Sequence, residues 1–247
     1  MFSAALVPES IEYHVGHLPV SILMTILVWF VIVFLSVLVA HFPRFIPAKM
    51  RMAAEVLFEY VCTLAKDLIG PQAPKFYPLF LGLFIFILVA NLVGLIPGLI
   101  SPTADPALTF GLALMVFLYF NFLGLKEHGF SYFKQFLGPK LPWFMAPVSV
   151  LFALIEIISL FMRPFSLGLR LFCNIFSKEL FLGILALLVI QFFTSDVLQE
   201  RLLTAGPLLL RPFILLLGLL VGLIQALVFT ILSMSYIAGA VQAQEHH

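Results

Sequence analysis

The chain has 247 residues, of which 63% are hydrophobic and 10% charged, with a formal net charge of +1 and a mean hydropathy of +1.17. This composition excludes an ordinary soluble domain and indicates an all-α, multi-span membrane protein. A charge so near zero gives no basic footprint for nucleic acid.

Residues 1–19 are polar and mixed. They lack a basic stretch followed by an apolar core, so no cleavable signal peptide is expected. His14 and His17 have no third candidate ligand nearby, and a solvated external segment describes them better than a metal pair. Residues 20–41 read as a first span, ended by His41, Pro43, Arg44 and Pro47. Residues 49–70 differ in kind. Ala53, Val56, Leu57, Tyr60, Val61, Leu64 and Leu68 mark one helical face, with Arg51, Glu55, Glu59, Lys66 and Asp67 mostly on the other. This is the pattern of an amphipathic helix lying on the membrane surface, with Arg51–Glu55 as an i,i+4 pair. Gly70 and Pro71 stop it.

A second span, 77–99, holds Asn91, read as an interhelical hydrogen-bonding group. Pro97, Gly98, Pro102 and Pro106 make a turn, and 107–124, containing Asn121, returns to complete a hairpin. After a polar loop, 125–142, residues 143–193 run on with only Pro147 and Pro164 as candidate bends. Continuous helix over about 50 residues would reach roughly 75 Å. After a break at Asp196, Glu200 and Arg201, residues 207–242 form another long apolar segment. Both are too long to stand upright in a bilayer and are expected to be strongly tilted. Neither an internal repeat nor a linker divides the chain, so it reads as one integral membrane domain with five crossings and one surface helix. Cys62 and Cys173 lie in dissimilar segments and are not expected to pair.

The chemistry concentrates between Glu156 and Glu179. Glu156, Arg163 and Arg170 are spaced by seven, so each turns only about 20° from the last on a helix. Ser159, Ser166, Asn174 and Ser177 lie on or beside that stripe. Glu179 is about half a turn out of phase with Arg170 and roughly 13 Å further along. Ionisable groups at membrane depth are costly and mark ion paths or buried pairs. The structural alternative stays open for some of them: Glu156–Arg163 as a buried pair, Arg163 or Lys178 reaching to an interface. Arg170 is deep in the segment and permanently charged. On the last helix Gly218, Gly222, Gln225, Phe229 and Tyr236 share a face. Gly218 and Gly222 permit close packing, and Gln225 is suited to pair with Arg170.

Lys and Arg in short loops set the orientation. Eight fall in segments 42–76 and 125–142, against one, Arg201, in 1–19, 99–106 and 194–206. The N-terminus is therefore expected outside and the C-terminus in the cytoplasm. Glu156 and Arg163 then lie toward the inside, Arg170 midway, and Asn174, Lys178 and Glu179 toward the outside. An acid stands on each side of a fixed cation, which suits two half-paths separated by a barrier.

Ser166-Leu167-Gly168-Leu169-Arg170-Leu171-Phe172, with Asn174, Glu179-Leu180, Gln225-Ala226 and Tyr236, resembles the signature of subunit a of F-type ATP synthases. The resemblance covers essentially the whole chain. It implies a stator in a bacterial plasma membrane beside a rotating ring of c subunits, in contact with peripheral-stalk b subunits, other synthase subunits and lipid. The family's subunit conducts protons through two offset half-channels, performs no ATP chemistry and needs no cofactor or metal. The family's essential arginine maps to Arg170, its glutamine to Gln225, and its polar channel residues to Glu156, Asn174 and Glu179. Some bacterial members pair the outer glutamate with a histidine on the last helix. Gly218 stands there instead, so Glu179 must work with water, Asn174 or another partner. A secondary transporter or channel is the rival reading, but no related halves or paired broken helices are evident. A haem protein or intramembrane enzyme is disfavoured, because all six histidines lie at span ends, in loops or in the tail.

Overall fold

The computed structural model describes residues 14–15, 18–41, 48–96, 99–129, 146–193 and 203–241. The loops carrying Arg44, Lys134, Lys140 and Arg201, most of the segment before residue 20 including His17, and the tail with His246 and His247 lie outside them. A two-residue hairpin, β1 (His14–Val15) against β2 (Leu18–Pro19), leads into α1 (Val20–His41), an uncharged helix as the residue pattern predicts.

Next comes α2 (Ala48–Ile69), whose Arg51 Nε meets Glu55 Oε1 at 2.7 Å on the exposed face. Its buried stripe is Val61, Ala65 and Ile69, flanked by Leu57, Leu64 and Leu68. Val56 and Tyr60 of the same apolar face remain exposed. The stop at Gly70 and Pro71 is a change of helix type. Gly70 takes φ +81°, a conformation that suits glycine, and a 3-10 run spans Gly70–Phe76.

Three elements then build the core. α3 (Tyr77–Val93) has eight of its 17 residues buried, which makes it the central post. It ends about one and a half turns earlier than expected, because Gly94 to Ile96 turn the chain toward Ser101. A short 3-10 turn, Pro102–Ala104, precedes α4 (Pro106–His128). The Asp105 side chain accepts from the Ala107 amide at 2.8 Å and Pro106 fills the first helical position, a standard start signal. α5 (Ala146–Phe193) is 48 residues long and passes through Pro164 unbroken. α6 (Ala205–Val241) runs 37 residues and packs against α2, α3, α4 and α5.

Phe80, Phe84 and Ile87 of α3, Phe120 of α4, Leu167 and Leu171 of α5, and Phe229, Met234 and Ile237 of α6 are fully or almost fully buried. Burying residues of this kind contributes roughly 1.5–3 kcal/mol each in water, while within lipid close packing is the larger driver. Four helical stretches are long and apolar enough to cross a membrane: Ala54–Val93, Pro106–Glu127, Leu151–Phe193 and Ala205–Val241. A shorter apolar stretch, Ser21–Val37, lies in α1.

Candidate functional site: a polar seam between the long helices

The sequence around Arg170 divides by helical period. Leu167, Gly168, Leu171, Ile175 and Lys178 are buried and form one stripe of α5. Arg170, Cys173 and Ser177 occupy the exposed stripe. Gly168 sits where an added Cβ would lie 2.9 Å from Phe110 Cδ1, so it lets α5 approach α4 closely. The tight packing on one side of the helix thus fixes the rotation that turns Arg170 outward on the other. Among the described residues no side chain or carbonyl accepts a bond from Arg170. Ser166 is likewise exposed, and both cysteines are free thiols.

Gln225 does not pair with Arg170. Its Oε1 accepts from Asn174 Nδ2 at 2.6 Å. Asn174 stands one turn beyond Arg170 and about 40° round from it, toward α6, while the guanidinium points off the packed face. Gln225 is 2% exposed, and its Nε2 has no partner among the described residues.

The end of the seam nearest Glu179 is built by the α3–α4 turn. Glu179 Oε1 accepts from the Ser101 backbone N–H at 3.0 Å. Ser101 Oγ lies 2.9 Å from the Ala90 carbonyl and 2.7 Å from Thr103 Oγ1, which lies 3.0 Å from Asn91 Oδ1. Asn91 Nδ2 then donates to the Gly222 carbonyl of α6 at 3.0 Å. Two hydroxyl hydrogens serve three short contacts, so each arrangement leaves one contact without a hydrogen. Asn91 is thus the interhelical group the sequence indicates. Ser101 and Thr103 carried no sequence signal beyond lying in a polar turn, since their roles depend on where the turn folds.

Lys178 points into the protein. It is buried, and Nζ donates to the Gly94 carbonyl at 3.2 Å, just past the C-terminus of α3 where a cation is favoured. Its stem fills the space beside Gly218, where an added Cβ would lie 2.8 Å from Lys178 Cδ. Gly222 is somewhat less tight, with Asn91 Cβ 3.1 Å from an added Cβ. The two glycines therefore admit the Lys178 stem and Asn91 against α6, and the partner of Glu179 is a backbone amide.

At the other end, Arg163 Nη2 lies 3.8 Å from Glu156 Oε1, both side chains partly exposed. The Arg163 guanidinium also sits 5.7 Å from the centroid of Tyr236 on α6. Glu156, Arg163 and Tyr236 form one group, Asn174 and Gln225 a second, and Lys178 and Glu179 with the α3–α4 turn a third. Arg170 lies between the first and the other two along α5.

A family model described as ATP synthase A chain matches residues 22–238. The chain is 36% identical over 225 residues to an ATP synthase subunit a from Sulfurihydrogenibium sp. (strain YO3AOP1), covering 91% of this chain and 98% of that protein. It is 35% identical over 204 residues to the one from Aquifex aeolicus (strain VF5), covering 83% and 88%. With the one from Desulfotalea psychrophila (strain LSv54 / DSM 12343) the identity is 40% over 223 residues, covering 88% and 82%.

Proposed function

The chain belongs to the ATP synthase A chain family, and from that membership we propose that it is the proton-translocating stator of a rotary F-type synthase, with two offset half-channels divided by Arg170. Protons enter from outside past Glu179, Lys178, Asn174 and Gln225. They neutralise a carboxylate on a c-subunit ring, travel round with it, and leave past Glu156, Arg163 and Tyr236, with Ser166 on the ring-facing side. The chain crosses a bacterial inner membrane five times with α2 on the surface. Its N-terminus is outside, its C-terminus is in the cytoplasm, and peripheral-stalk b subunits hold it. α5, at 48 residues, extends about 72 Å against a hydrocarbon core of about 30 Å, so it and α6 must be strongly tilted.

The observation that carries this reading is the exposure of Arg170 on a membrane-length helix with no acceptor from the described residues. A permanent cation facing hydrocarbon is costly, so that face calls for a partner carrying acid. A passing ring carboxylate supplies it. An opposite charge within a few ångströms lowers a carboxylate's pKa by about one to three units, which drives proton release on the exit side. The driving force is about 2.3 kcal/mol per proton per 100 mV.

In vesicles holding the complete complex, Arg170→Ala is expected to abolish ATP-driven pumping and synthesis and to open a passive proton leak, with the ring still copurifying. Arg170→Lys also fails, because it lacks the planar fork and is more readily deprotonated. Normal coupled synthesis by a fully assembled Arg170→Ala complex refutes the proposal.

A further inference from the structure

Tyr236 touches more than its own helix. Its ring centroid lies 5.7 Å from that of Phe120 on α4, and its face lies 5.7 Å from the guanidinium carbon of Arg163 on α5. Phe161 and Phe165, flanking Arg163, are held against Phe117 and Phe110 of α4. The backbone around Arg163 is therefore fixed by aromatic contacts, while its head meets only two groups among the described residues, Glu156 and Tyr236.

The two contacts differ in kind. At 3.8 Å, Arg163–Glu156 is too long for a hydrogen bond, so it attracts without orienting the guanidinium. It also depends on the charge of Glu156. The tyrosine ring attracts a cation through its quadrupole, which does not change when a neighbouring carboxyl gains or loses a proton. If Glu156 exchanges protons, as the proposed function holds, the ion pair weakens whenever Glu156 is neutral. A guanidinium held by that pair alone would then be free to swing along the stripe it shares with Arg170, seven residues and about 10.5 Å away.

We propose that Tyr236 is a positioning residue, a cation–π anchor that keeps the Arg163 guanidinium beside Glu156 through the proton cycle and away from the ring-facing surface. The inference rests on the reading of Glu156 as part of the inner half-channel.

The test is a double-mutant cycle in the complete complex, reading ATP-driven proton pumping in vesicles and copurification of the ring. Tyr236→Leu is expected to cut pumping about threefold to tenfold, the size of a partly desolvated cation–π contact. Tyr236→Phe, which keeps the ring face, retains most of the rate. Adding Tyr236→Leu to Arg163→Gln costs nothing further, because the anchored cation is already gone. If Tyr236→Leu does not assemble, phenylalanine at 236 with successive ring fluorination weakens the face without changing the packing, and pumping should fall stepwise.

Glu156→Gln separates the two levels of the argument. Normal pumping by Glu156→Gln overturns the inner-channel reading. If Glu156→Gln is slow, but the Tyr236 and Arg163 losses multiply or the fluorinated series is flat, the anchor is overturned and the inner-channel reading stands.

Discussion

Gly222→Ala adds one methyl group at the contact between α3 and α6. The new Cβ would sit 3.1 Å from Asn91 Cβ, some tenths of an ångström closer than ordinary carbon contact. Asn91 cannot yield by changing rotamer, because its Cβ is fixed to the α3 backbone. Its carboxamide is also held at both ends, by the Gly222 carbonyl and by Thr103. The helices must separate, at about 1–3 kcal/mol for overpacking. The 3.0 Å bond to Gly222 stretches, losing about 0.5–1.5 kcal/mol more. Against this, alanine in a helix interior gains about 0.5–1 kcal/mol over glycine. The net expectation is destabilisation of about 0.5–4 kcal/mol. Gly82→Ala on α3 makes the same chemical change where nothing lies within 4 Å, so it should be neutral or stabilising by up to about 1 kcal/mol. The assay is the thermal midpoint for loss of this subunit from the complex in nanodiscs, with proton flux measured on the same samples. Equal midpoints for the two variants, or a higher one for Gly222→Ala, would refute the close packing argued here.

Glu179→Gln should slow proton flux while the complex assembles normally, and Glu179→Asp should retain more; a normal rate for Glu179→Gln would make the carboxylate structural. For orientation, a cysteine at exposed Ile100 should label from outside and one at exposed Glu127 from inside. Outside labelling at Glu127 would exchange the two half-channels. Ser101 itself is 1% exposed and makes a poor probe.

Much of this protein follows from residue pattern alone. The absence of charge across 20–41 and the long apolar runs after residue 143 mark helices because unpaired backbone and charge are too costly in lipid. The seven-residue spacing of Glu156, Arg163 and Arg170 places them on one stripe through the geometry of a single helix, and the motif around Arg170 resembles the family's signature. Partner choice needed the tertiary structure. Glu179 meets the amide of Ser101, 78 residues away in sequence, only because α3 ends early and the turn folds back over α5. Gln225 meets Asn174, and not Arg170, because the packing of Leu167, Gly168 and Leu171 sets the rotation of α5. Lys178 is drawn inward because Gly218 leaves room and Gly94 offers a carbonyl. Periodicity is a local property of the chain, set by residues within a few turns. Which donor meets which acceptor depends on how separate helices dock, and that is decided by side-chain volumes at contacts far apart in sequence.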